Sequence, residues 1–109
     1  MEKLVREALE PLDIPLFFKV IPKNAEDEVF DEYVMFGVYN VKRLGREDDT
    51  YTMKRHYITL NYWYSDSLNR IDEIASLLEE SGFEIEDETD LEDSGLYGRN
   101  YDIAYTEYL

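Results

Sequence analysis

With 109 residues and no cysteine, the chain has neither disulfides nor thiolate metal sites to stabilise it and must rely on a single hydrophobic core. A formal net charge of −15, from 26 acidic against 11 basic residues, argues against general binding to phosphate backbones. Charges interrupt the first residues where a signal peptide needs an apolar run, and no stretch approaches the length of a membrane span, so one soluble, untargeted domain over residues 1–109 is expected.

In chain order, residues 2–12 place Leu4, Val5, Ala8, Leu9 and Leu12 on one stripe, a short packing helix that closes near Pro11. Pro15 pushes Ile14 toward extended geometry, and residues 16–21 form a first strand that Pro22 ends. Prolines at both ends assign it to a sheet edge. Residues 23–31 are a polar, acidic loop, and residues 33–39 a central strand with Val34, Phe36 and Val38 on one face. Gly37 marks a bulge or a close backbone approach. Residues 42–52, which include Gly45, then connect two antiparallel strands as a long hairpin with an exposed tip.

Residues 56–64 are dominated by β-branched and aromatic side chains, with Ile58, Leu60, Tyr62 and Tyr64 on the core face. Ser65, Asp66 and Ser67 are three candidate N-caps, and Leu68, Ile71, Ile74, Ala75 and Leu78 follow at helical spacing. Gly82 stops this helix, since glycine takes a left-handed conformation without Cβ strain. Residues 83–85 have the composition of a short extra strand, whereas residues 86–94 are acidic enough to be expected as a loop. In the last strand, residues 99–108, Tyr101, Ile103 and Tyr105 alternate with Asp102, Ala104 and Thr106 on a wet face. The order α-β-β-β-α-(β)-β describes an α+β domain: a mainly antiparallel four- to five-stranded sheet with helices packed on one face.

No catalytic frame accompanies these elements. His56 stands beside Arg55 with no serine, cysteine or second histidine at a motif spacing, and carboxylates this numerous pair by chance. Asp90, Glu92, Ser94 and Gly95 imitate the start of a calcium loop, but Tyr101 occupies its twelfth position, where a bidentate carboxylate is required. No glycine-rich phosphate loop is present, and basic residues are too few among the aromatics for a single-strand platform. No cofactor or metal is expected.

Charge and aromatics carry more information. Lys42, Arg43, Arg46, Lys54 and Arg55 gather within residues 42–55, while residues 26–32 and 79–93 are strongly acidic. Ten tyrosines are many for this length, and tyrosine is enriched where proteins meet, which marks Tyr39, Tyr57, Trp63 and Tyr97 as contact candidates; the alternative is that they cover an exposed sheet face.

The run Tyr57-Ile58-Thr59-Leu60-Asn61-Tyr62-Trp63-Tyr64-Ser65, the segments Ile71-Asp72-Glu73-Ile74 and Leu77-Leu78-Glu79-Glu80-Ser81-Gly82-Phe83, and Asp93-Ser94-Gly95-Leu96-Tyr97 before a tyrosine-rich strand resemble the tail completion or tail terminator proteins of tailed bacteriophages and prophages. The strand after Pro15 and residues 33–39 look like their N-terminal half. The resemblance covers most of the chain but consists of loose hydrophobic patterns, and the strong acidity departs from it. It implies a structural, non-enzymatic protein of the virion tail, assembled in the host bacterial cytoplasm. Subunits would join head to tail in a ring, commonly a hexamer, that caps the tail tube and meets the connector proteins of the head. Neither a membrane nor sequence-specific nucleic acid is expected as partner.

Heterologous assembly needs two unlike patches. The expected interface therefore sets Lys42, Arg43 and Arg46 of one subunit against Glu84, Glu86 and Asp87 of the next, with Tyr97 as an aromatic contact. Surplus carboxylates would face the ring lumen, where they keep passing DNA from sticking. The competing expectation is an acidic DNA mimic that occupies a nucleic-acid-binding enzyme; it accounts for the charge but not for the basic hairpin.

Overall fold

The computed structural model describes residues 1–20, 30–65, 70–93 and 95–109. Residues 23–29 of the expected loop, Ile21 and Pro22, and the cap candidates Asp66 and Ser67 with Leu68 lie outside the described residues; the first strand, however, already ends at Phe18 rather than Ile21, and the second helix starts at Ile71 with Arg70, not Ser65, at its N-cap.

An apolar stripe one turn apart builds α1, Glu2–Leu9, which tightens into a 3-10 turn at Glu10–Leu12 where Pro11 cannot continue an α-helix. Val5, Ala8, Leu9 and Leu12 are buried, as the stripe requires. Then follow β1, Leu16–Phe18, β2, Glu32–Glu47, and β3, Thr50–Tyr64, before α2, Ile71–Glu80, β4, Glu84–Asp93, and β5, Leu96–Tyr108. Gly82 ends α2 as expected, at φ +93°. The chain is α+β, with two α-helices and a five-stranded mixed sheet in the order β1-β2-β3-β5-β4.

β1 runs parallel to β2, and the other three pairings are antiparallel. The parallel pair is possible because residues 19–31 separate the two strands, about the dozen residues a crossover needs. β1 lies at an edge and β2 inside, as the proline brackets and the apolar run of β2 require.

Val34 and Phe36 of β2, Ile58, Leu60 and Tyr62 of β3, and Tyr101 and Ile103 of β5 point to one face and form a single core with Val5, Leu9, Leu12, Ile74 and Leu78 of the helical segments. Helices thus cover one face only. The opposite face carries Tyr33, Met35, Tyr57, Trp63 and Asn100, all half-buried.

Three further expectations are corrected. Residues 42–52 are not a loop: β2 and β3 stay paired to Glu47 and Thr50, and the chain reverses at Asp48 and Asp49, whose φ values of 49° and 64° suit a two-residue hairpin turn. The resulting ribbon gives the molecule its long axis, 53 Å against 29 and 23 Å. Residues 86–93 are likewise strand, because an edge strand needs one hydrogen-bonded neighbour and its carboxylates can still reach water. Ala104, expected on a wet face, is fully buried between its cross-strand neighbours Tyr57 and Glu84. The bulge in β2 sits at Tyr39, two residues after Gly37, and a second interrupts β4 at Glu86.

Candidate interaction surface

Half of the large apolar side chains exposed among the described residues lie on the ribbon. Tyr39, Val41, Leu44 and Tyr51 are all exposed on it, interleaved with the basic side chains. Lys42 Nζ lies over the Tyr57 ring at 5.5 Å from its centre, and Arg46 pairs with Asp49 at 3.1 Å while covering Tyr51. Arg43 has no ion pair to any described residue.

β4 occupies the other side of the sheet, beyond β3 and β5. Glu84, Glu86, Glu88 and Asp90 of this strand are engaged within the chain by two arginines. Arg55, largely buried, donates to Glu84 at 2.9 Å and to Thr106 at 2.8 Å, and approaches Glu86 at 3.6 Å. The hydrogen bond to Glu84 raises the Arg55 pKa, and the same bond holds the Glu84 carboxyl below its usual range. Arg99 grips Asp90 at 2.8 Å and Glu88 at 3.1 Å. Burial works against the Arg99 charge, but Asp90 and Glu88 outweigh it and its pKa is raised.

Of the expected interface residues, Lys42, Arg43 and Arg46 thus share the ribbon, and Glu84, Glu86 and Asp87 share the first half of β4. The two groups lie on different strands with β3 and β5 between them, and they do not meet within one chain. Tyr97 belongs to neither: its ring lies 6.2 Å from that of Tyr64, on an open cleft of about 510 Å³ lined also by Ile71, Leu91 and Arg99. Trp63 packs over Gly98 on the uncovered face.

A buried network that the residue pattern did not expose locks the helices to the sheet. The Tyr62 hydroxyl donates to Glu32 and accepts the Arg70 backbone N–H at 3.2 Å. Arg70 in turn lies 3.4 Å from Glu32 and donates to the Leu12 carbonyl at 2.7 Å. Burial, aided by the bond to Glu32, pushes the Tyr62 pKa up. Only the apolar strand pattern around Glu32 and Tyr62 hinted at burial; their pairing is tertiary.

Chemistry finds little to work with. His56 Nε2 is buried, lies 3.9 Å from Glu107 and makes no hydrogen bond to any described residue. Among the described residues no three His, Cys, Asp or Glu side chains are grouped to hold a metal. In the calcium-like segment Asp90 is committed to Arg99, and the Tyr101 hydroxyl donates to the Ile71 carbonyl at 2.6 Å; Ser94 lies outside the described residues. No described helix is long and apolar enough to cross a membrane. No protein-family model matches the chain, and neither does any curated protein.

Proposed function

We propose that the protein is a structural subunit of a phage or prophage tail, a terminator that forms a ring, commonly hexameric, caps the tail tube and joins it to the head. The observation that supports this reading is the separation of two unlike surfaces, a basic and apolar ribbon on the β2 side and an acidic strand on the β4 side. A head-to-tail contact needs such a pair, and it closes into a ring where the rotation allows. The tail itself enters through the likeness of the strand and helix segments to terminator proteins.

DNA mimicry is less well supported, because a mimic needs free carboxylates and Glu84, Glu88 and Asp90 are already held by Arg55 and Arg99. Light scattering across concentration and salt, alone and with phage tail tubes, tests the reading. A discrete ring is expected, alone or on tubes, and charge reversal at Arg43 and Arg46 weakens it most at low salt. A monomer that ignores tubes and binds a DNA-handling enzyme would transfer the conclusion to mimicry. A ring whose lumen is neutral or basic would remove the part of the proposal that assigns surplus carboxylates to repelling DNA.

A further inference from the structure

β1 covers β2 only at Val34, Met35 and Phe36, and the last bond of that pair runs from the Lys19 N–H to the Phe36 carbonyl at 2.8 Å. Lys19, at φ +71°, then turns the chain away. Among the described residues no strand pairs with the outer side of β2 beyond Phe36, nor with the outer side of β4. Among the described residues two long strand edges are therefore open on opposite sides of one sheet, each a template for another chain.

Which main-chain groups face outward follows from the ladder. Residues of an antiparallel strand alternate between bonding one neighbour and the other. The Val34 N–H donates to the Pro15 carbonyl and the Phe36 carbonyl accepts from Lys19, so these residues face the β1 side. The extra residue at Tyr39 shifts the alternation. Beyond it Val41 and Arg43 face the open edge, while Lys42, Leu44 and Arg46 bond β3; Gly45, at φ +65°, has its carbonyl engaged by the Thr52 hydroxyl within the ribbon. Carried across β3 and β5, the same alternation turns Glu88, Asp90 and Glu92 toward the open edge of β4.

β2, β3, β5 and β4 run alternately up and down. A second copy set beside the first in the same orientation therefore presents β4 antiparallel to β2. Both outward rows also carry their side chains on the helix-covered face, as facing residues of one ladder must. The two edges then match in direction, in face and in charge.

We infer that successive copies join by continuing the sheet, residues 41–43 of one copy pairing antiparallel with residues 90–92 of the next. This rests on the ring reading and specifies its joint. Main-chain hydrogen bonds make the link, with Val41 opposite Glu92 and Arg43 opposite Asp90. Charge selects the edges: two β4 edges would set carboxylates against carboxylates and two β2 edges would set arginines together, whereas β2 with β4 sets Arg43 against Asp90, which Arg99 holds within its own copy and which would then be shared between the two arginines. Asp87 Oδ1 accepts the outward Glu88 N–H at 3.0 Å, so that amide is satisfied within its own copy and the joint lies beyond it.

Within one copy, Asp90 is level with Val34 of β2 through Arg99 and Tyr62. The joint therefore displaces the neighbour along the strands by about eight residues, roughly 27 Å at ~3.4 Å per residue. That stagger carries the neighbour's turn between β4 and β5 past the end of β1, and a sheet closed with such a stagger tilts its strands to the ring axis.

Arg43→Pro removes one outward N–H and spares the bonds to β3, whereas Arg43→Ala removes the charge and keeps the N–H; Glu92→Pro and Glu92→Ala do the same on β4. Circular dichroism checks folding. Each proline variant is expected to raise the concentration needed for assembly at least tenfold, and each alanine variant to do so less and mainly at low salt. Because the chain has no cysteine, Val41→Cys and Glu92→Cys copies report the joint by disulfide formation when mixed, but not when either is alone, even where a proline variant fails to fold. Folded proline variants that assemble like the parent, or a mixture that does not cross-link, overturn the joint and leave the ring reading to the parent's mass. A parent monomeric at every concentration and on tubes overturns both. An open-ended polymer that Arg43→Pro dissolves keeps the joint and removes the closed ring.

Discussion

Two glycines on the uncovered face of the sheet should respond in opposite directions to the same substitution. A Cβ at Gly98 would meet Trp63 Cε3 at 2.8 Å, Trp63 Cζ3 at 3.0 Å and Leu91 Cβ at 3.2 Å, whereas at Gly37 the nearest atom is Lys19 Cγ at 4.0 Å. Neither glycine has a positive φ, so sterics and chain entropy decide. Replacing a strand glycine by alanine contributes about 0.5–1 kcal/mol. Overpacking costs about 1–3 kcal/mol. Gly98→Ala should therefore lose up to about 2.5 kcal/mol, a fall in Tm of up to about 10 °C at ~4 °C per kcal/mol, while Gly37→Ala should gain about 2–4 °C. Thermal unfolding followed by circular dichroism measures both, and fluorescence of Trp63, the only tryptophan, reports the local change. In a Trp63→Leu background the ring is absent and Gly98→Ala should become neutral or stabilising, a coupling read from the double-mutant cycle. A Gly98→Ala variant as stable as the parent, or equally destabilised in both backgrounds, would refute the steric account.

Three further outcomes follow from the buried and paired groups. Tyr62 and Tyr101 are held protonated above the ordinary value of 10.0, chiefly by burial, with Glu32 reinforcing the first and Glu88 the second. The native state then keeps protons that the unfolded chain has released, so stability present below pH 10 should be lost as the pH rises above it; a urea midpoint unchanged between about pH 9 and 11 would contradict this. Tyr62→Phe removes the hydroxyl between Glu32 and Arg70 and should cost about 1–3 kcal/mol in urea unfolding, with a shallower alkaline loss; a neutral result would mean that the network does not hold the helices. Arg99→Ala leaves Glu88 and Asp90 without their partner, and hydrogen exchange at the β4 amides should accelerate, more so at low salt. Unchanged β4 protection would show that main-chain pairing alone holds this edge.

The apolar periodicities were legible along the chain. Val5, Ala8, Leu9 and Leu12 form the buried stripe of α1, Ile58, Leu60 and Tyr62 the core row of β3, and Gly82 the stop of α2, because each depends on a local repeat or a single backbone preference. The ribbon and β4 were not legible as strands. Their alternation is masked by polar side chains on both faces, and what makes them strands is a hydrogen-bonded partner: β5 for β4, paired from Asp93 and Leu96 onward, and for the ribbon the opposite arm of a hairpin that turns at two aspartates tolerating positive φ. The candidate surface divided in the same way. Clustering of Lys42, Arg43 and Arg46 is a property of adjacent residues, but the capture of Glu84 and Glu86 by Arg55 needed β5 to bring β4 within reach.

By itself the sequence determined that this chain has one apolar face on each core element, helices that end at Pro11 and Gly82, and opposite charge in two segments, since periodicity, backbone geometry and composition are local. Only the tertiary structure decided that β1 would run parallel to β2, that the charged segments would lie at separate edges, and that Val41 and Arg43 would turn their main-chain groups outward. Those outcomes depend on which strands become neighbours and on a bulge that shifts their register, and hydrogen-bonded pairing across tens of residues leaves no mark in either strand alone.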